Sequence, residues 1–345
     1  MKTVYFIIGC DTDPDRTSFI SGVTDKQLSW IGMDEGIHAV KEATKDILDS
    51  EGKSPIFSWC LRVDDQIRHY DDDYAWVLKS HRKLFEDLEK SGDELSWHPH
   101  FWRYNNQKSF WYQETQDIEW QTEMLQMSHS AYQDVFPDRP LSVRMGWNFH
   151  NTNSMKTLSN LGIKVDFSGV PGMRVDPSPL KVDNIYNWFD APPNPYYPSN
   201  KDFQTAGIDN NKMGILEVPN LVAKSIAWGY IAGIVLAKKM KNIKPLFVAL
   251  RRPRYWINIS AERHYFKPLL NEFHKHLRRK KTTLLIFNNY FHADDMVENN
   301  SAIYSLRGFK NNLNDLVNAA KESGAHIKFI KACDSANIFN QKADN

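Results

Sequence analysis

The sequence predicts an α/β fold whose parallel sheet curls into a closed or nearly closed barrel. Three observations predict it. Short apolar runs alternate with amphipathic helical segments along the chain, the order of a parallel sheet with helices outside it. At least seven strand-like runs are present, more than a small open sheet needs. No repeat or strong linker divides the 345 residues, so 1–335 reads as a single domain and 336–345 as a C-terminal tail.

The elements follow in order. Residues 4–8 (VYFII) form the first strand, and a charged, periodic segment over 34–48 reads as a helix. A second strand is expected at 56–63, an amphipathic helix at 74–90 and a third strand at 94–97. Helical spacing runs from 115 to 135 and stops before Pro137. A short strand at 141–143 precedes a helix at 153–161 that ends at Gly162, and a strand at 163–167 follows. A Pro-rich loop, 171–198, leads to a strand at 215–218, and a second elaboration covers 225–263. The chain closes with a strand at 284–287, a helix at 309–322 ending at Gly324, and a strand at 327–330.

Apolar content of 41% and charged content of 25% are those of a globular protein. Aromatic content is high at 13%, with 11 Trp and 14 Tyr, and flat rings with a polar edge suit sugars or bases. A net charge of +1 argues against a global electrostatic footprint for nucleic acid. Basic residues nevertheless concentrate in 225–281, where Glu262 and Glu272 are the only acids. That segment reads either as a solvated face or as a patch for an acidic glycan, a diphosphate or a peripheral membrane contact. Residues 225–237 are apolar but shorter than the about 20 a bilayer span needs, and read as a core helix, with an interfacial helix as the alternative. Cys10, Cys60 and Cys333 make no disulfide framework and no zinc motif, which fits a reducing compartment. Ile7-Ile8-Gly9-Cys10 loosely mimics a lipoprotein cleavage site, but the apolar run before it is shorter than the about 7–15 residues of a signal. The expectation is a buried strand in a cytoplasmic protein, with membrane association through the basic segment.

The chemistry-bearing residues sit where strands end. Asp11 and Asp13 flank Thr12, and extended backbone would aim both to one face. His98 and His100 flank Pro99, so an extended His-x-His can grip one ion from a single side. Carboxylate oxygen and imidazole nitrogen together suit a borderline cation such as zinc. Arg144 follows a strand and can fix and acidify an aspartate. His150 is a further unassigned imidazole and an alternative metal ligand, and His292 stands beside Asp294 and Asp295, where a histidine can protonate a leaving group. Trp97, Trp102 and Trp147 are candidates for a sugar-binding wall.

Taken in order, these pieces resemble the polysaccharide deacetylase (NodB-like, carbohydrate esterase) superfamily over most of the chain. The motifs are Cys10-Asp11-Thr12-Asp13, then Glu94-Leu95-Ser96-Trp97-His98-Pro99-His100, Arg144-Met145-Gly146-Trp147, the stretch 157–168, the loop 191–199, Leu216-Glu217-Val218-Pro219 and Phe291-His292. The resemblance implies a distorted (β/α)7 barrel and one divalent metal ion, commonly zinc. It implies a metal-dependent hydrolase that removes N-acetyl groups from a sugar of a surface polysaccharide or its precursor. By the same resemblance Asp11 is the general base, Asp13 and His98 are metal ligands, Arg144 orients the base, and His292 is the general acid. Two departures stand. Thr12 separates aspartates that are adjacent in the superfamily, so base and ligand can be exchanged between Asp11 and Asp13. The second histidine of the superfamily lies four residues after the first, where this chain has Trp102. Either His100 replaces it as ligand or the metal site is altered.

Two rival readings follow. One is a non-catalytic glycan-binding barrel that has lost full metal ligation. The other is a haloacid-dehalogenase-type phosphatase, with Asp11 as nucleophile and Asp294 and Asp295 as a late acidic pair around magnesium. The phosphatase reading leaves His98 and His100 without a task.

Overall fold

Strand β1 (Thr3–Thr12) is the axis of the sheet. The structure, a computed structural model, describes residues 2–15, 28–175, 185–224, 254–279, 284–297 and 303–343. In chain order the other strands are β2 (Ser58–Leu61), β3 (Glu94–Trp97), β4 (Trp102–Asn105), β5 (Phe110–Gln113), β6 (Ser142–Val143), β7 (Val165–Asp166), β8 (Arg174–Val175), β9 (Tyr186–Asn187), β10 (Leu216–Glu217), β11 (Leu284–His292) and β12 (His326–Phe329). The main sheet runs β10-β7-β6-β3-β2-β1-β11, all pairings parallel, and β12 also pairs with β1. β11 pairs with β1 from Thr3 to Asp11, so β12 and β2 must share the opposite edge. β12 takes Thr3 to Phe6 and β2 takes Gly9 to Thr12. Two antiparallel hairpins, β4–β5 and β8–β9, stand apart from this sheet.

The sheet curls until its outer strands approach across Asn288. The Asn288 side-chain amide donates to Phe167 O at 3.1 Å and to Val218 O at 2.7 Å, and the Asn288 backbone carbonyl accepts from Leu221 N at 3.1 Å. A side chain thus replaces the ladder that a closed barrel would have there. One end of the barrel is filled by Glu94, which accepts from Ser58 Oγ (2.6 Å), Ser142 Oγ (2.7 Å) and Cys333 N (3.2 Å).

Side chains alternate across each strand. Phe6, Ile8 and Cys10 on β1, Trp59 and Leu61 on β2, Leu95 and Trp97 on β3 and Phe287 and Phe291 on β11 join the large core under the helices. Ile7, Cys60, Val165, Phe167, Leu216 and Val218 form a smaller inner core. Helix Ile31–Thr44 packs closely on the turn Ala293–Met296 that follows β11. A Cβ on its Gly36 would fall 1.9 Å from Ala293 O, so only glycine permits this approach.

The expected elements are present with shifted bounds. The helix expected over 74–90 is two helices, Trp76–Ser80 and Arg82–Lys90, parted at His81, whose ring packs with Trp30 and Trp76. The strand expected at 284–287 continues to His292, because Asn288 and Asn289 spend their amides on the seam and on Ile257 O. The segment read as a tail carries helix Ser335–Ala343, whose Ala336, Ile338 and Phe339 cover the inner core. Part of the basic segment forms helix Arg263–Arg278. The apolar stretch 225–237, and the basic segment from 225 to 253, lie outside the described residues.

Candidate active site

Alternation decides which residues meet. Asp11 shares the inward parity of Ile7 on β1, and His98 shares that of Ser96 and Glu94 on β3. Arg144, two residues after Ser142, and His292, two after Tyr290, enter from β6 and β11. Register sets Asp11 opposite both Cys60 and His292. These residues therefore converge at the end of the barrel away from Glu94, where parallel strands deliver their C-termini.

Asp13, His98 and His100 form one candidate cation group and Asp11, Asp13 and His292 another, the donor atoms within each group lying within 4.8 Å of one another. His98 Nε2 lies 3.0 Å from His100 Nε2 and 3.6 Å from Asp13 Oδ2, and His100 Nε2 lies 3.4 Å from Asp13 Oδ1. His100 thus lies beside both His98 and Asp13. Trp102 instead packs edge-on against Trp147 with centroids 6.1 Å apart, and Trp147 packs edge-on against His100 at 6.2 Å.

Each donor is held from behind. His98 Nδ1 is 2.5 Å from Arg144 O. A carbonyl only accepts, so Nδ1 carries the proton and Nε2 offers its lone pair to the centre. Asp13 Oδ1 accepts from Arg62 Nη1 at 2.5 Å, and Arg62, fully buried, also grips Asp64 and Gln66. Asp64 in turn caps helix Asp65–Asp71 and accepts from His100 N at 3.1 Å. Burial works against an ionised Asp13, yet the Arg62 guanidinium, with His100 and His98 behind it, holds that carboxyl well below the usual range. Burial, then Arg62, pushes the His100 imidazole well down against the opposing pull of Asp13.

The donor set fits a divalent cation. The candidate donors are one carboxylate held ionised, on Asp13, and two imidazoles, of which His100 is held neutral by its surroundings. Two imidazole nitrogens at 3.0 Å require a shared proton or a cation between them. The 3.0 Å between the two imidazole nitrogens is near the roughly 3.3 Å between donors of a tetrahedral ion with bonds of about 2.0–2.1 Å, and the two rings approach different oxygens of Asp13, His98 reaching Oδ2 and His100 reaching Oδ1. Asp11 Oδ1 is buried with no hydrogen-bond partner among the described residues.

Beside this set, Asp11 Oδ2 pairs with Arg144 Nη1 at 2.9 Å. Burial opposes the Arg144 charge, but Asp11 first and Tyr290 next keep its pKa raised. His292 reaches Asp13 Oδ2 with Nδ1 at 3.5 Å and Asp11 Oδ2 with Nε2 at 3.9 Å, and its side chain is 19% exposed. Asp294 and Asp295 are buried in the next turn and belong to neither candidate group among the described residues.

Two expectations need correction. Trp97 is fully buried, has the parity opposite to His98, and donates its indole N–H to Val63 O at 3.2 Å, so it cannot wall a sugar subsite. His150 is no ligand of this centre: it faces Asp166 Oδ2 at 3.1 Å in a separate buried cluster with Ser154, Ser168 and Glu217. Arg62, Asp64, Asn148 and Tyr290 escaped the sequence reading. Arg62-Val63-Asp64 does carry a signal, charged residues directly after an apolar strand.

No protein-family model and no curated protein matches this chain. Among solved structures it is similar to a protein from Parabacteroides distasonis, itself a glycoside hydrolase/deacetylase only by inference. Identity is 14%, the TM-score 0.55, and the match covers 98% of this chain and 71% of that one. A looser match, to an inferred polysaccharide deacetylase from Mycobacterium smegmatis, has 10% identity and a TM-score of 0.47 over 99% and 92% of the two chains. This chain and the Parabacteroides distasonis protein share a fold, an α/β barrel built on a curled parallel sheet. Among the described residues no helix is long and apolar enough to cross a membrane.

Proposed function

We propose that this protein is a metal-dependent carbohydrate N-deacetylase that cleaves the acetamide of an amino sugar in a surface polysaccharide or its precursor. The observation that supports this most is the meeting of an Asp–His–His donor set with an arginine-held carboxylate and a partly exposed histidine at one barrel end. Asp13, His98 and His100 would hold the ion, zinc in the first instance. A divalent ion supplies Lewis acidity toward an amide carbonyl and makes water a stronger acid. Asp11, aimed by Arg144, takes the proton of the attacking water. His292 donates a proton to the departing amine nitrogen, and Trp102 and Trp147 flank the sugar ring. The three free cysteines support a reducing, cytoplasmic setting.

The test is acetate release from N-acetylglucosamine oligomers by the zinc- or cobalt-loaded protein. His98→Ala should abolish both release and tight metal binding. Oligomer binding without acetate release, with no metal affinity, would establish the binding barrel instead. Magnesium-dependent phosphate release that survives His98→Ala would establish the phosphatase.

A further inference from the structure

The turn after β6 contains two consecutive residues in the left-handed region, Trp147 (φ 56°, ψ 20°) and Asn148 (φ 54°). Asparagine tolerates that region, whereas tryptophan adopts it only under constraint. The constraint is visible. Trp188 Nε1 donates to Asn148 O at 2.7 Å, Asn148 N donates to Met145 O at 3.1 Å, and Met145 N donates to Ser168 Oγ at 2.8 Å. Asn148 is 6% exposed and Trp188 fully buried.

What the turn achieves is the placement of one guanidinium. Arg144 Nη2 donates to Asn148 Oδ1 at 3.0 Å while Nη1 holds Asp11 at 2.9 Å. Arg144 Cζ lies 3.2 Å from the centroid of the Tyr290 ring, which stacks in turn on Trp256 at 5.0 Å and 21°. The contact with Asp11 alone would leave the guanidinium free to pivot about a single hydrogen bond. Tyr290 blocks movement across the plane, and Asn148 fixes rotation within it. The same turn supplies the carbonyl that orients His98.

We infer that Asn148 is a positioning residue: its side-chain oxygen Oδ1, carried on a backbone whose carbonyl Trp188 holds, fixes the Arg144 guanidinium and through it the Asp11 carboxylate. The inference rests on the reading of Asp11 as the base. Asn148→Gly keeps access to the left-handed backbone but removes the acceptor, and Asn148→Asp restores one. Trp188→Phe removes the indole donor while keeping an aromatic ring. The first readout is the side-chain signals of ¹⁵N-arginine-labelled full-length protein, with Arg144 assigned through Arg144→Lys. Separate Nη signals are expected in the wild type and in Asn148→Asp, and exchange-averaged ones in Asn148→Gly and Trp188→Phe. The second readout is acetate release, where Asn148→Gly should lower kcat about tenfold with KM within about twofold, and Asn148→Asp should recover most of it. Unaveraged Arg144 signals in folded Asn148→Gly overturn the inference, as does an Asn148→Asp protein no better than the glycine variant. A wild type that releases no acetate refutes the enzyme reading alone, because the arginine signals still decide whether the clamp exists.

Discussion

Replacing Gly146 by alanine should cripple cation binding while leaving the protein folded. A Cβ at this position would lie 2.2 Å from Cδ2 and Cγ of His100 and 2.4 Å from its Nδ1. Carbon atoms rest at about 3.5–4.0 Å, so ring and turn must part by roughly 1.3 Å or more. Neither is free to yield. His100 is 4% exposed, with its ring centroid 4.7 Å from that of His98 and 6.2 Å from that of Trp147, and Gly146 N is bonded to Pro99 O at 2.9 Å. A shift of that size destroys the 3.0 and 3.4 Å approaches of His100 Nε2 to His98 and Asp13. Disturbing even the outer support of a ligating histidine costs about 10–100-fold in metal affinity, and a displaced ligand should reach the upper end. Overpacking costs about 1–3 kcal/mol of stability, which leaves a folded population to measure. The assay is zinc competition against a chromophoric chelator, with urea unfolding of the metal-free protein alongside. Wild-type zinc affinity in folded Gly146→Ala would refute the assignment of His100 to the centre.

Three further outcomes are expected. Burial, and then Asp166, push the Glu217 carboxyl well above its usual range. The folded state therefore holds a proton that the unfolded chain releases at about pH 4.3. Stability is fully present below that pH and falls above it by up to about 1.4 kcal/mol per pH unit. Glu217→Gln should flatten this slope in urea titrations between about pH 4.5 and 8, and equal slopes in the two proteins would contradict it. Trp97→Ala should cost about 3–5 kcal/mol of stability, since Trp97 is fully buried, whereas Trp147→Ala should chiefly raise KM for oligosaccharide. A Trp97 variant that changed KM and not stability would reverse that assignment. Asn288→Leu removes the side-chain donor to Val218 O and the shorter of two donors to Phe167 O, which keeps Asn220 Nδ2 at 3.4 Å, at about 1–3 kcal/mol for the carbonyl left without its donor, readable as a lowered urea midpoint.

Much of this centre could be read from residue chemistry and a period of two. Asp11 and Asp13, and likewise His98 and His100, lie two positions apart at strand ends, and Arg144 and His292 follow apolar runs. The same rule carries information that the tryptophan reading overlooked, because Trp97 is adjacent to His98 and must turn the other way. Hairpin β4–β5 went unread although two aromatic runs, Trp102-Arg103-Tyr104 and Phe110-Trp111-Tyr112, flank a polar Asn-Asn-Gln-Lys-Ser turn.

Local order in the chain thus settles strand-and-helix alternation, the face each side chain takes and the kinds of donor available. Folding in three dimensions settled the partners: His100 rather than Trp102 beside His98, Arg62 behind Asp13, Asn148 against Arg144, and Asn288 across the gap in the barrel. The physical reason is range. Periodicity comes from neighbouring backbone torsions, while Arg62 and Asp13 stand 49 residues apart and Asn288 and Phe167 stand 121 apart, and their meeting depends on sheet register and curl. His98 with His100 and Arg144 with Asn148 are close in the chain but meet only because irregular backbone beyond the strand ends turns one toward the other.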